Sequence, residues 1–266
     1  MQYYIEVEPN VKLFIEDIGS GVPVVFIHGW PLNHSIFEYQ VTQLPKYGFR
    51  CISIDLRGFG KSDQPWTGYD YDRMADDIRI VLDTLYLEQV RLIGFSMGGA
   101  IAIRYMSRHR GHRVAKLLLL GAAAPAFTQR DNYPYGMTKA EVDELIELTY
   151  TDRPQMVAAF GEKVFAQPVT PSFKDWFQFI GVAASNHGTV CGAISLREED
   201  LRQDLPQVHA PTFIFHGVLD QICPFKFAIL MHKGIHGSQL LRFEKSGHGI
   251  FYDELELFNQ RLLSVL

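Results

Sequence analysis

Apolar and polar positions alternate along the first part of the chain. Gln2–Glu8 and Val11–Ile18 follow the two-residue period of strands, and their closeness predicts a hairpin. Gly19-Ser20-Gly21 breaks this pattern. Val22–Ile27 is then a continuous apolar run, the mark of a strand covered on both faces. Phe49–Ile54 reads as another buried strand, and Val90–Phe95 and Lys116–Leu120 read as further strands. Helical periods lie between them. Ser35–Leu44 reads as a helix stopped by Pro45. Asp72 is placed to cap a helix whose stripe is Met74, Ile78, Val81, Leu82 and Leu85. Met97–Arg108 reads as a third helix. This alternation predicts an α/β fold with a mostly parallel, doubly wound sheet.

The rhythm stops near Pro125. Pro125–Val208 reads as helices and loops, with helices expected at Lys139–Tyr150, Gln155–Phe165, Phe173–Ser185 and Val190–Arg197. Alternation returns with a strand at Thr212–Phe215, a helix at Phe225–Lys233 and a strand at Leu240–Glu244. A last helix carries Phe251, Leu255, Phe258, Leu262 and Leu266 on one face. The expected organisation is one unit: a core of residues 1–124 and 209–266, interrupted by a helical cap at 125–208. Repeats and low-complexity linkers are absent from the sequence.

Composition narrows the function. The 266 residues are 47% hydrophobic, which excludes a disordered chain. The net charge of −5 and the lack of a basic block argue against a nucleic-acid partner. Apolar stretches fall short of the ~20 residues that span a bilayer, and Met1–Asn10 lacks the apolar core of a signal peptide. Cys51, Cys191 and Cys223 are far apart and read as free thiols in a reducing compartment, most simply the cytoplasm. His232 and His236 are four apart but lack the intervening Glu of a zinc-protease motif, and no phosphate-loop spacing occurs. The sequence therefore predicts no metal and no cofactor. It carries no signal for oligomeric state.

Candidate chemistry concentrates at predicted strand ends. Gly94-Phe95-Ser96-Met97-Gly98 lies between a strand and a helix, the context of a G-x-S-x-G nucleophile elbow. A serine hydroxyl needs a base. His248 stands in Ser246-Gly247-His248-Gly249, between the last strand and last helix. Asp220 follows the preceding strand in His216-Gly217-Val218-Leu219-Asp220. The order Ser, Asp, His is the one that goes with this elbow. Asp220 would hold the imidazole of His248 in the right tautomer. The backbone N–H groups of Trp30, in His28-Gly29-Trp30-Pro31, and of Met97 are the expected oxyanion donors. His28 itself reads as a turn former. Asp55-Leu56-Arg57-Gly58-Phe59-Gly60-Lys61-Ser62 reads as a structural loop with an Asp–Arg pair.

With these residues in place, the chain from Val22 onward resembles the α/β-hydrolases. It is most similar to the bacterial aryl-esterase and cofactor-free haloperoxidase (perhydrolase) branch. Arg57–Gly68 followed by Tyr69-Asp70-Tyr71-Asp72, then Gly94–Gly99, and Asp220–Phe225 carry the likeness. It implies Ser96, Asp220 and His248 as catalytic triad, with the amides of Trp30 and Met97 as oxyanion hole. It implies that Pro31 tunes hydrolysis against perhydrolysis, and it marks Cys223 as a departure from an apolar residue.

The resemblance implies hydrolysis of small carboxylic esters through an acyl-enzyme, with peracid formation when peroxide replaces water. Amide, lactam or C–C bond hydrolysis on the same triad stays open, as does a hydrolase-like small-ligand receptor. Cap aromatics cluster at Phe160, Phe165, Phe173, Trp176, Phe177 and Phe179. The expected substrate pocket comprises Phe95, Phe160, Phe165, Trp176, Ile222 and Phe251.

Overall fold

The computed structural model describes the chain from Met1 to Leu266. Strands β1 (Gln2–Glu8) and β2 (Val11–Gly19) form the expected antiparallel hairpin. The apolar runs become β3 (Val22–Ile27), β4 (Phe49–Ile54), β5 (Val90–Phe95) and β6 (Val114–Leu120). Strands β7 (Thr212–Gly217) and β8 (Gln239–Phe243) complete an eight-stranded sheet in the order β1-β2-β4-β3-β5-β6-β7-β8. From β4 to β8 every pairing is parallel. The chain steps to one side of β3 to form β4, then to the other side to form β5. The connections leaving β3 and β5 therefore diverge around a crevice, the place where open α/β sheets bind ligands.

Some helices differ from the sequence expectation for local reasons. Ser35–Leu44 is not one helix. It is a tight turn at His34–Phe37, a short α1 (Glu38–Val41) and a second turn at Leu44–Tyr47. Asn33 Oδ1 caps the first turn by accepting from Ser35 N at 3.0 Å, and this competes with a regular start. Helix α2 (Tyr71–Thr84) is capped by Asp70, not Asp72. Asp70 accepts from Arg73 N at 2.8 Å, while Asp72 turns to Arg104 and Arg108 on α3 (Met97–Arg108).

Between β6 and β7 the chain contributes no strand to the sheet. Helix α4 (Lys139–Gly161) breaks at Asp152, where φ is −152° and ψ is 77°. Pro154 lacks an N–H, and Asp152 Oδ1 caps the second half by accepting from Gln155 N at 3.0 Å. The two predicted helices are thus present, but the second stops at Gly161, short of Phe165. Helices α5 (Pro171–Val182) and α6 (Asn186–Glu198) follow. Leu201 N closes the base of this segment on Pro125 O at 2.7 Å. Helix α7 (Lys226–Gly234) joins β7 to β8. The predicted last helix is split at Glu254 into α8 (Ile250–Asp253) and α9 (Leu255–Val265). Phe258 and Leu262 keep the expected face buried. No single helix is long and apolar enough to cross a membrane.

The Asp55–Ser62 loop is structural, but its ion pair is not Asp55–Arg57. Arg57 is fully buried and makes a two-pronged bond to Asp77 on α2, at 2.7 and 2.8 Å, with Glu8 as a further partner at 2.9 Å. Asp55 instead binds the His34 imidazole at 2.8 Å and the amides of His34 and Lys61. Both carboxylates are buried, so each needs such partners to stay ionised. Together they fasten the loop after β4 to the hairpin, to α2 and to the turn after β3.

His28, at the C-terminal end of β3, holds the same region as a neutral group. Its Nε2 accepts from Leu56 N at 3.0 Å, so Nδ1 carries the proton and donates to Gly29 O at 2.9 Å. Burial lowers its pKa from 6.5 to about 4. Between those values the unfolded chain takes up a proton here and the folded chain does not. Stability is therefore lost as pH falls through that window. His28→Gln is predicted to flatten the fall in unfolding free energy between pH 6.5 and about 4, measured by urea unfolding. An unchanged slope would contradict the assignment.

Candidate active site

Ser96 sits between β5 and α3 with φ 54° and ψ −118°. This is a left-handed backbone that a serine adopts at a cost of about 1–3 kcal/mol. The turn survives because its neighbours leave no other path. A Cβ on Gly94 would lie 2.4 Å from Gly98 O, and one on Gly98 would lie 2.3 Å from Ile27 O. Strand, helix and the end of β3 thus approach closely only with glycine at both sites. Ser96 N donates to Leu120 O at 2.9 Å, and Ser96 O accepts from Gly99, Ala100 and Ala123 amides. The backbone is clamped on both sides, with the side chain above the α3 N-terminus.

The loop after β3 runs directly against this turn. A Cβ on Gly29 would fall 2.8 Å from Ser96 Cβ. Trp30 follows, and its amide donates to no group of the protein; nor does the amide of Met97, the first residue of α3. Two free N–H groups therefore flank Ser96. The Trp30 indole is committed elsewhere. Its Nε1 donates to Thr189 O on α6 at 2.7 Å, and its ring meets Phe160 edge-on at 5.2 Å.

Asp220 and His248 come together from the loops after β7 and β8. His248 Nδ1 is 2.8 Å from Asp220 Oδ2. Asp220 Oδ1 accepts from the amides of Ile222 and Cys223, each at 2.8 Å. The carboxylate has no proton to give, so Nδ1 of His248 is the donor and Nε2 keeps its lone pair. Burial pushes the Asp220 carboxyl up. The charges and hydrogen bonds of His248, His216 and the Cys223 amide outweigh it and hold the group below the usual carboxylate range. The His248 ring is 2% exposed and lies 4.8 Å from the Phe95 ring, next in sequence to Ser96. Ser96 Oγ and His248 Nε2 are not hydrogen-bonded to each other here; such contacts commonly tighten only with substrate in place.

His216 also belongs to the site, although no motif in the sequence singles it out. Its Nε2 donates to Cys223 O at 2.7 Å and stands 3.4 Å from Asp220 Oδ2. It braces the turn whose amides hold Asp220. Burial, then the charge of Asp220, pushes the Cys223 thiol well above its usual range, while the nearby Ser96 hydroxyl opposes this. The thiol beside the elbow is thus a neutral packing group.

The expected pocket residues divide into four groups. Phe95 and Phe251 are buried ring to ring at 5.0 Å and form a floor beside His248. Phe160 and Ile222 line a cleft of about 200 Å³ with Met137, Leu145 and Gln221. Phe165 covers Gly249 and borders a separate cavity of about 300 Å³. Trp176 is not brought to the site. It packs on Tyr39 and Phe173 and lines an open groove with Glu38 and Thr170. Its helical position gave no sign of which face would turn outward.

Residues 22–255 match the family described as alpha/beta hydrolase fold. The chain is 55% identical to the AB hydrolase superfamily protein YisY of Bacillus subtilis (strain 168) over 259 residues, 97% of each chain. It is also similar to the esterase EaEST from Exiguobacterium antarcticum, with 54% identity and a TM-score of 0.98 over 100% of this chain and 99% of that one. Bromoperoxidase from Bacillus anthracis is 34% identical, with a TM-score of 0.95 over 99% and 98% of the two chains. The sheet order, the serine elbow and these similarities agree: the chain belongs to the alpha/beta hydrolase fold family and is a hydrolase of the esterase and haloperoxidase branch.

Proposed function

We propose that the protein hydrolyses small carboxylic esters, aryl esters among them, through an acyl-enzyme on Ser96. The observation that carries this reading is the strained Ser96 turn flanked by two free amides, with a buried His248–Asp220 pair at 2.8 Å on the same sheet edge. His248 Nε2 takes the Ser96 proton as Oγ attacks the ester carbonyl. The amides of Trp30 and Met97 receive the oxyanion. His248 then protonates the leaving alcohol or phenol. Water, activated by His248, releases the acid. Asp220 stays ionised throughout and stabilises the imidazolium. Hydrogen peroxide in place of water gives a peracid, which oxidises halide outside the serine cycle. The likeness to an esterase and to a bromoperoxidase supports both outcomes. Free thiols at Cys51, Cys191 and Cys223 fit a reducing cytoplasm.

Ser96→Ala should lower kcat/KM for p-nitrophenyl acetate by at least about 10³-fold. It should also abolish halogenation supported by acetate and peroxide. Turnover near the wild-type rate in a folded variant would overturn the nucleophile assignment. Halogenation that persisted without a carboxylic acid would overturn the peracid route.

The cleft of about 200 Å³ at Phe160 and Ile222 adjoins the Trp30 ring and the Asp220 turn, and its small size supports short acyl chains. Across a series of p-nitrophenyl esters, kcat/KM should be highest for short acyl groups, each methylene being worth about 1–3 kcal/mol in such a pocket. An efficiency still rising beyond roughly eight carbons would contradict a short acyl pocket.

A further inference from the structure

The strand-free segment between β6 and β7 touches the core at the loop that carries His248. Gly249 N donates to Val164 O at 2.8 Å. A Cβ on Gly247 would fall 2.9 Å from Val164 O, and one on Gly249 would fall 2.3 Å from Phe165 Cε1. Residues 164–166 are thus laid directly over both neighbours of His248. The side chain of Asp253 makes the most bonds to both pieces. Asp253, at the end of α8, accepts from Ala166 N at 3.0 Å and Gln167 N at 3.0 Å on the covering segment. It also accepts from Gly247 N at 2.7 Å on the His248 loop. Gln167 Nε2 adds a bond to Lys245 O at 2.6 Å. Glu254, next to Asp253, accepts from Lys245 N at 3.0 Å and Ser246 Oγ at 2.7 Å.

We propose that Asp253 is a positioning residue that locks the Val164–Gln167 segment onto the His248 loop, so that seating this segment and aiming the His248 imidazole are one event. Three amides from two pieces of chain distant in sequence converge on one carboxylate, and charge-assisted bonds of this kind are about twice as strong as neutral ones. The same segment carries Phe165, which walls the cavity of about 300 Å³ together with Val169, Phe177, Glu162 and Lys174. Movement at that wall is therefore passed to the His248 loop through Asp253. The catalytic role of His248 rests on the proposed hydrolytic cycle. The mechanical link does not.

Asp253→Asn tests it in the full-length protein. The substitution keeps the volume but turns one acceptor into a donor facing an amide N–H. Hydrogen exchange should speed up together in residues 164–167 and 245–249. In steady-state hydrolysis of p-nitrophenyl acetate, kcat should fall by up to about 10²-fold, the scale of a misplacement near 1 Å, with KM changed less than about threefold. A lower melting temperature with kcat unchanged would reduce Asp253 to a structural cap and overturn the proposal. So would exchange that speeds up on only one side of the clasp. Native-state exchange on the unsubstituted protein tests the lock without a variant. The two segments should open with one shared free energy, and clearly different values would contradict the lock. If Ser96→Ala stayed active, the hydrolytic reading would fail while the exchange result stood on its own.

Discussion

The site depends on how the two oxygens of one buried carboxylate are shared. Asp220 Oδ1 is held by two amides of its own turn, which leaves Oδ2 for His248 Nδ1. That division fixes the ring orientation and tautomer of His248 and leaves Nε2 as its basic atom. It is in turn maintained by His216, which clamps Cys223 O and keeps the turn closed. If the amides were lost, Asp220 would be a buried charge with too few partners, and burial would favour its protonation. A neutral acid could not stabilise an imidazolium, so the proposed cycle needs the turn at 220–223 as much as the side chains it presents.

The sheet supplies the other requirement, which is convergence. Parallel strands β3, β5, β7 and β8 end on one edge, so residues distant in sequence meet without long loops. The strained turn at Ser96 is tolerated because close glycine contacts and four backbone hydrogen bonds over-determine it. The helical segment is attached at several separate points: Trp30 to Thr189, Ser185 to the Gly58 carbonyl, Ser195 to the Tyr69 carbonyl, and Val164–Gln167 to the His248 loop. Two of these points, at Trp30 and at the His248 loop, lie on loops that also carry the site, so packing of the helical segment is tied to the placement of those residues.

Much of this was legible in the sequence. Apolar runs located the parallel strands, because strands covered on both faces have no polar side to show. Glycines two residues on either side of Ser96 revealed the elbow, since only close backbone approach requires both. The order of Asp220 and His248 then followed from strand ends. What the sequence hid was partner choice and side-chain direction. Asp70 and Asp72 are equivalent as helix caps until arginines on α3 claim one of them. Arg57 is near Asp55 in sequence, yet it binds Asp77 because α2 packs over it. Trp176 and Phe165 lie on comparable apolar stretches, but only Phe165 turns toward the His248 loop. Asp253 looks like an ordinary acidic residue before a helix; its role exists only once the segment from 164 to 167 folds back across it.

The central claim is a covalent acyl intermediate on Ser96, and rapid acid quench of the reaction with p-nitrophenyl acetate tests it most directly. Mass spectrometry of proteolytic peptides should then find one acetyl group on Ser96, formed in step with a burst of p-nitrophenol. Turnover with no acetylated protein, or with the acetyl group on another residue such as Cys223, would contradict it.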